Sequence, residues 1–159
     1  MTKILNRIED FVIISGLALI AIILLLQVFM RYIFNYPFIW SEELARYTFV
    51  WVSFIGMGYG IRQNCHIRME IVQNKLPKKM KDILNIFMNI IACGAFMYLI
   101  PSGIELTIQQ QAVVSSAMAI PMGYVFIAVP VGFSIGCLRM ILMIINDIRS
   151  FRKMRGVEA

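Results

Sequence analysis

Charge is scarce in this 159-residue chain: 15% of its residues are Asp, Glu, Lys or Arg, whereas 60% are hydrophobic. That is too little polar surface to cover a soluble globule, so the composition points to an all-α integral membrane protein. Histidine is scarcer still. With His66 alone, the chain has no second imidazole for bis-histidine haem ligation, and its one histidine stands outside the apolar runs where it would have to meet an intramembrane serine. Of the three cysteines, Cys93 and Cys137 lie inside apolar runs, where thiols behave as small hydrophobes, and Cys65 beside His66 lacks the separated spacing of a zinc site. No disulfide, metal or cofactor is therefore expected. A phosphate-cradling glycine loop is also missing, which excludes ATP hydrolysis by this chain.

The formal charge of +6 does not point to nucleic acid. Its lysines and arginines flank apolar runs, where such residues orient helices and meet anionic membrane lipid.

Four apolar runs predict a single four-helix membrane domain over 1–159, with helices at about 11–34, 41–61, 83–100 and 120–145, since about 20 residues cross a hydrocarbon layer. The run from Phe11 exceeds a signal-peptide core and lacks a small-x-small cleavage pattern, so it reads as a retained helix. Asn35-Tyr36-Pro37 breaks it into a hairpin. Ser41 suits an N-cap, and the acids after it suit the positive end of a helix dipole. Pro101 either ends the third helix or kinks one that continues toward Gln111. The amino end, the connection from Arg62 to Asp82 and the carboxyl tail are basic, while the other two connections are not. This asymmetry predicts cytoplasmic termini, with the Trp40 hairpin and the glutamine-rich segment on the opposite side.

At about 100° per residue, Glu42, Arg46, Phe49, Ser53, Gly56 and Gly60 share one helical stripe. Gly56 with Gly60, and Gly132 with Gly136, are small-xxx-small pairs, so Ser53 and these glycines form a candidate helix-packing face. Arg31, Glu42, Glu43 and Arg46 are expected to pair as an interfacial charge network. Tyr32, Trp40 and Tyr47 read as interface anchors. Arg62, His66 and Arg139 fall on the predicted cytoplasmic side, with Glu70 or Asp82 as partners for Arg139. No acid falls inside the predicted first helix, and no charged site lies near the bilayer midplane, which favours a packing subunit over a solo transporter. A free-standing small channel or exporter and the membrane anchor of a redox complex are the alternatives.

The residues also carry a resemblance. Gln27-Val28-Phe29-Met30-Arg31-Tyr32, then Trp40-Ser41-Glu42-Glu43-Leu44-Ala45-Arg46-Tyr47, Trp51, Gly56, Arg62 and His66-Ile67 resemble the small membrane subunit (DctQ-like, Q subunit) of tripartite ATP-independent periplasmic (TRAP) transporters. Ala119-Ile120-Pro121-Met122, Val129-Pro130-Val131-Gly132 and Arg139 look like the last helix of the same subunits. Two positions depart: Gly123 stands where an aromatic is usual, and Glu70 where aspartate is frequent. The resemblance implies a multi-pass protein of the bacterial inner membrane. It would support a large multispanning subunit that carries the substrate and sodium sites, and it would be no enzyme. An organic acid, of the C4-dicarboxylate or sialic acid class, would be delivered by a periplasmic substrate-binding protein and imported by sodium symport.

Overall fold

Helices dominate the computed structural model, which describes residues 2–36, 38–62 and 78–155. They are α1 (Thr2–Ile33), α2 (Ile39–Arg62), α3 (Lys78–Gln109), the single turn α4 (Gly123–Phe126) and α5 (Ala128–Arg155). Three described stretches are long and apolar enough to cross a membrane: Leu5–Ile33, Ile86–Ala112 and Gly123–Ile145. The 24-residue α2 is long enough too, but it falls short of the same apolarity. Its acids, arginines and glycines are the reason.

The long helices stand in a row, because α1 packs on α2, α2 on α5 and α5 on α3. Each contact has a local cause. α1 buries Glu9, Gly16 and Ile23, a seven-residue repeat that keeps one seam against a neighbour. Gly16 admits the Val52 side chain of α2. Away from that seam Phe11, Ile14, Leu25 and Phe29 are exposed, which suits hydrocarbon, since lipid tails solvate apolar side chains and helices associate there by close packing.

Between α2 and α5, a Cβ on Gly132 would stand 2.6 Å from the Phe54 Cβ and 2.8 Å from its carbonyl oxygen. Only glycine lets the two backbones approach so closely. Phe133 then bridges to both neighbours, its ring 5.7 Å from Phe54 and 5.8 Å from Phe96. Ile61, Cys93, Cys137 and Met140 form the buried core beneath. The Cys93 and Cys137 thiols are free, with their sulfurs 3.7 Å apart.

Several boundaries differ from the sequence reading. α1 starts at Thr2, well before Phe11, because the polar residues of its first turns find partners on other helices. Consequently Glu9 and Asp10 lie inside the first helix, where no acid was expected. Ser41 is not an N-cap: α2 begins at Ile39, and the buried Ser41 hydroxyl donates to the Phe38 carbonyl at 2.6 Å. α3 continues through Pro101, as membrane helices tolerate when the freed backbone groups are otherwise accommodated. Ile120 and Pro121 precede the last helix instead of starting it. Val114 and Pro121 form an isolated antiparallel bridge, Ala119 sits in the left-handed region at φ 54°, and α5 follows from Ala128. His66, Glu70 and Cys65 lie outside the described residues.

Candidate functional site

Polar side chains cluster at both ends of the row. At the end where α1 begins, Arg139 of α5 reaches across α2 to α1. Its Nε donates to Glu9 Oε1 at 3.2 Å, and its Nη2 donates to Glu9 Oε2 at 2.8 Å and Asn6 Oδ1 at 2.6 Å. Glu9 is 1% exposed and Arg139 6%, so each charge depends on the other for solvation. Gly58 makes the crossing possible. A Cβ there would stand 2.7 Å from the Ile135 Cγ2 and 3.3 Å from Glu9 Oε1. Beside this pair, Arg62 at the end of α2 forms a half-exposed ion pair with Asp10 and lies 4.6 Å from the Tyr59 ring centroid.

The sequence reading placed Arg62 and Arg139 on one side, and the structure brings both to the start of α1. Among the described residues the Arg139 partner is Glu9; Glu70 and the Asp82 side chain, the partners expected from the sequence, lie outside them. A separation of 130 residues hides that pairing from local spacing. The signal that could have found it is the i, i+3 spacing of Asn6 and Glu9 just ahead of an apolar run, which places both on one helical face.

At the other end, Glu43 clasps the segment between α3 and α4. One carboxylate oxygen accepts the Ala117 amide and the other the Met118 amide, both at 3.1 Å. The Ser115 and Tyr47 side chains also hydrogen-bond this carboxylate. The segment closes on itself through Ser115 N–H to Ile120 O at 2.9 Å and Met122 N–H to Val113 O at 2.8 Å. Gly123 permits its return, since a Cβ there would stand 3.2 Å from both Gln111 Cα and the Thr107 carbonyl oxygen. That crowding accounts for glycine where an aromatic was expected.

The expected charge network is thus divided. Glu42 accepts a hydrogen bond from Gln27 at 2.7 Å, Glu43 holds backbone amides, and Arg31 and Arg46 are exposed without an ion pair among the described residues. Antiparallel helices explain this. Once Gln27 meets Glu42, Arg31 and Arg46 are carried one turn away in opposite directions. The proposed packing face also divides. Gly132 contacts Phe54, and Gly136 lies against Ile61 and Phe96, whereas a Cβ at Gly56 or Gly60 would meet nothing within 4 Å. Ser53 is exposed, while Gly56 and Gly60 are half-buried. Of the aromatic anchors, Tyr32 and Trp40 are exposed at 77% and 44%, while Tyr47 is buried at 9% beneath the clasp it helps to form.

The family model described as "Tripartite ATP-independent periplasmic transporters, DctQ component" matches residues 20–150. The chain is 30% identical over 131 residues, 81% of its length, to the sialic acid TRAP transporter permease protein SiaT of Haemophilus influenzae, of which this covers 21%. It is 30% identical over 102 residues, 62% of its length, to the sialic acid TRAP transporter small permease protein SiaQ of Vibrio cholerae, of which this covers 59%. A C4-dicarboxylate TRAP transporter small permease protein DctQ, also of Vibrio cholerae, is 26% identical over 98 residues, 62% of this chain and 42% of that protein. The chain therefore spans only part of each of these relatives. With a family match over residues 20–150 and three apolar spans, the chain belongs to the DctQ components of TRAP transporters and is a multi-pass protein of the bacterial inner membrane.

Proposed function

We propose that this chain is the small scaffold subunit of a sodium-coupled importer of organic acids, and that it supports a large membrane subunit which carries the substrate. The match over residues 20–150 is the observation that carries this reading. As a transporter subunit it is not an enzyme. The relatives named for sialic acid and C4-dicarboxylates favour those two substrate classes. In this reading α2 crosses the membrane as a fourth span despite its polarity, because protein covers its polar side, and both termini are cytoplasmic. The Glu43-clasped segment then faces the periplasm and helps to receive the substrate-binding protein.

The structure is compatible with scaffolding in a specific way. The described ion pairs join helices at one end of the row, and Glu43 ties a connection down at the other. Groups engaged in this manner are not available to bind and release a solute. Reconstitution into liposomes provides the test. The chain together with its large subunit and binding protein should take up labelled sialic acid or a C4-dicarboxylate when a sodium gradient is imposed, and the chain alone should take up neither. Uptake by the chain alone would overturn the proposal.

A further inference from the structure

Beyond Glu42, which meets Gln27 of α1, the outward face of α2 carries exposed Arg46, Phe49 and Ser53 and two glycines whose Cβ would meet nothing within 4 Å among the described residues. Glu42, Arg46, Phe49, Ser53, Gly56 and Gly60 fall within about 80° of the helix circumference at 100° per residue. The neighbours of α2 lie elsewhere around it: Val52 and Thr48 face Gly16 of α1, whereas Phe54 and Ile61 face Gly132 and Gly136 of α5. Arg46 is exposed and has no ion pair among the described residues. It stands seven residues into α2, about 10 Å along the axis at 1.5 Å per residue. Glu42 on the same stripe accepts from Gln27 and forms no ion pair with Arg46 among the described residues.

We propose that this face docks the large membrane subunit, and that Arg46 pairs with a carboxylate on the arriving helix. The inference rests on the scaffold reading above and adds the face and its chemistry. Two independent observations favour protein cover over lipid. First, α2 lacks the apolarity that the other three long helices provide for contact with hydrocarbon. Second, the surface beyond Arg46 is open, since a Cβ at Gly56 or Gly60 would meet nothing. An incoming helix can therefore approach that backbone closely, with the exposed Ser53 hydroxyl available to hydrogen-bond across the contact. An arginine at such a depth requires an anion, and a carboxylate on that helix satisfies charge and packing together. A lipid phosphate satisfies only the charge.

The test uses the full chain co-expressed with its large subunit. Photoreactive p-benzoylphenylalanine at Phe49 or Ser53 should crosslink to the large subunit, while the same probe at exposed Tyr98 on α3 should not. Arg46→Glu should reduce co-purification of the large subunit about tenfold, as like-charge juxtaposition at an interface does. Arg46→Lys should retain most of it, and neither variant should change the melting of the isolated chain. Crosslinking from Tyr98 but not from Phe49 and Ser53 would overturn the proposal. So would an Arg46→Glu complex that assembles normally but loses bound anionic phospholipid, which would assign Arg46 to a headgroup. A wild-type chain that fails to co-purify with the large subunit would overturn the scaffold reading itself, and this inference with it.

Discussion

The two faces of α2 use the same residue types to opposite ends. On the inner face Gly58 is crowded by Ile135 and Glu9, and across the contact with α5 Gly132 is crowded by Phe54. On the outer face Gly56 and Gly60 border open space. Gly132 with Gly136 on α5 has the same four-residue spacing as Gly56 with Gly60 on α2, yet the first pair is consumed in folding the chain and the second meets no neighbour. The arginines divide similarly. Arg139 is buried against Glu9 across the inner face, whereas Arg46 on the outer face has no ion pair among the described residues. A small-residue motif therefore specifies that close approach is possible, but not which helix makes the approach.

The largest effect should come from separating the pair that crosses the inner face. Arg139→Leu leaves the Glu9 carboxylate buried without its cation, and removing one partner of a buried pair costs about 3–5 kcal/mol. Thermal unfolding in detergent should show this as a loss of folded protein, and the double variant Arg139→Leu with Glu9→Leu should recover much of it. Wild-type melting of Arg139→Leu would show that the pair does not hold the inner face together.

Filling the inner contact should come next. Gly132→Val places side-chain atoms where the Phe54 backbone stands, an overpacking that costs about 1–3 kcal/mol. Its melting temperature should fall clearly below that of Gly56→Val, and equal shifts would erase the distinction between the faces.

A local effect is expected at the clasp. Glu43→Gln keeps the shape but loses the charge that the amides solvate, so hydrogen exchange over 113–122 should accelerate while the helices retain their protection. Unchanged exchange in this segment would remove Glu43 from the role. The smallest effect belongs to the open face: Gly56→Ala meets no neighbour, so it should alter the stability of the isolated chain only through helix propensity, raising it by no more than about 1 kcal/mol.

Much of the architecture was legible from local pattern. Apolar runs marked the helices, Asn35 marked the first hairpin, and the stripe from Glu42 to Gly60 was readable because helical periodicity alone determines which residues share a face. The partners on that face were not readable. The charge network expected among Arg31, Glu42, Glu43 and Arg46 was reasoned from sequence proximity, but Glu43 instead binds amides 74 and 75 residues away. Tyr47 looked like an interface anchor because tyrosine favours that region, and it is buried because the Ser115 segment folds over it. Hydrophobicity marks only the apolar run from Phe11, whereas the polar turn that holds Glu9 continues α1 because its side chains find partners on other helices.

The sequence by itself determined that this is a helical membrane protein, that it belongs with the DctQ components, and that one stripe of α2 is polar and small. Those properties follow from composition and from periodicity along a single helix. Only the tertiary structure decided that Arg139 meets Glu9 through the gap at Gly58, that Glu43 closes on Ala117 and Met118, and which glycine pair is buried. Each of those depends on the order in which helices stand beside one another, and helix order places distant residues together by geometry that no local spacing encodes.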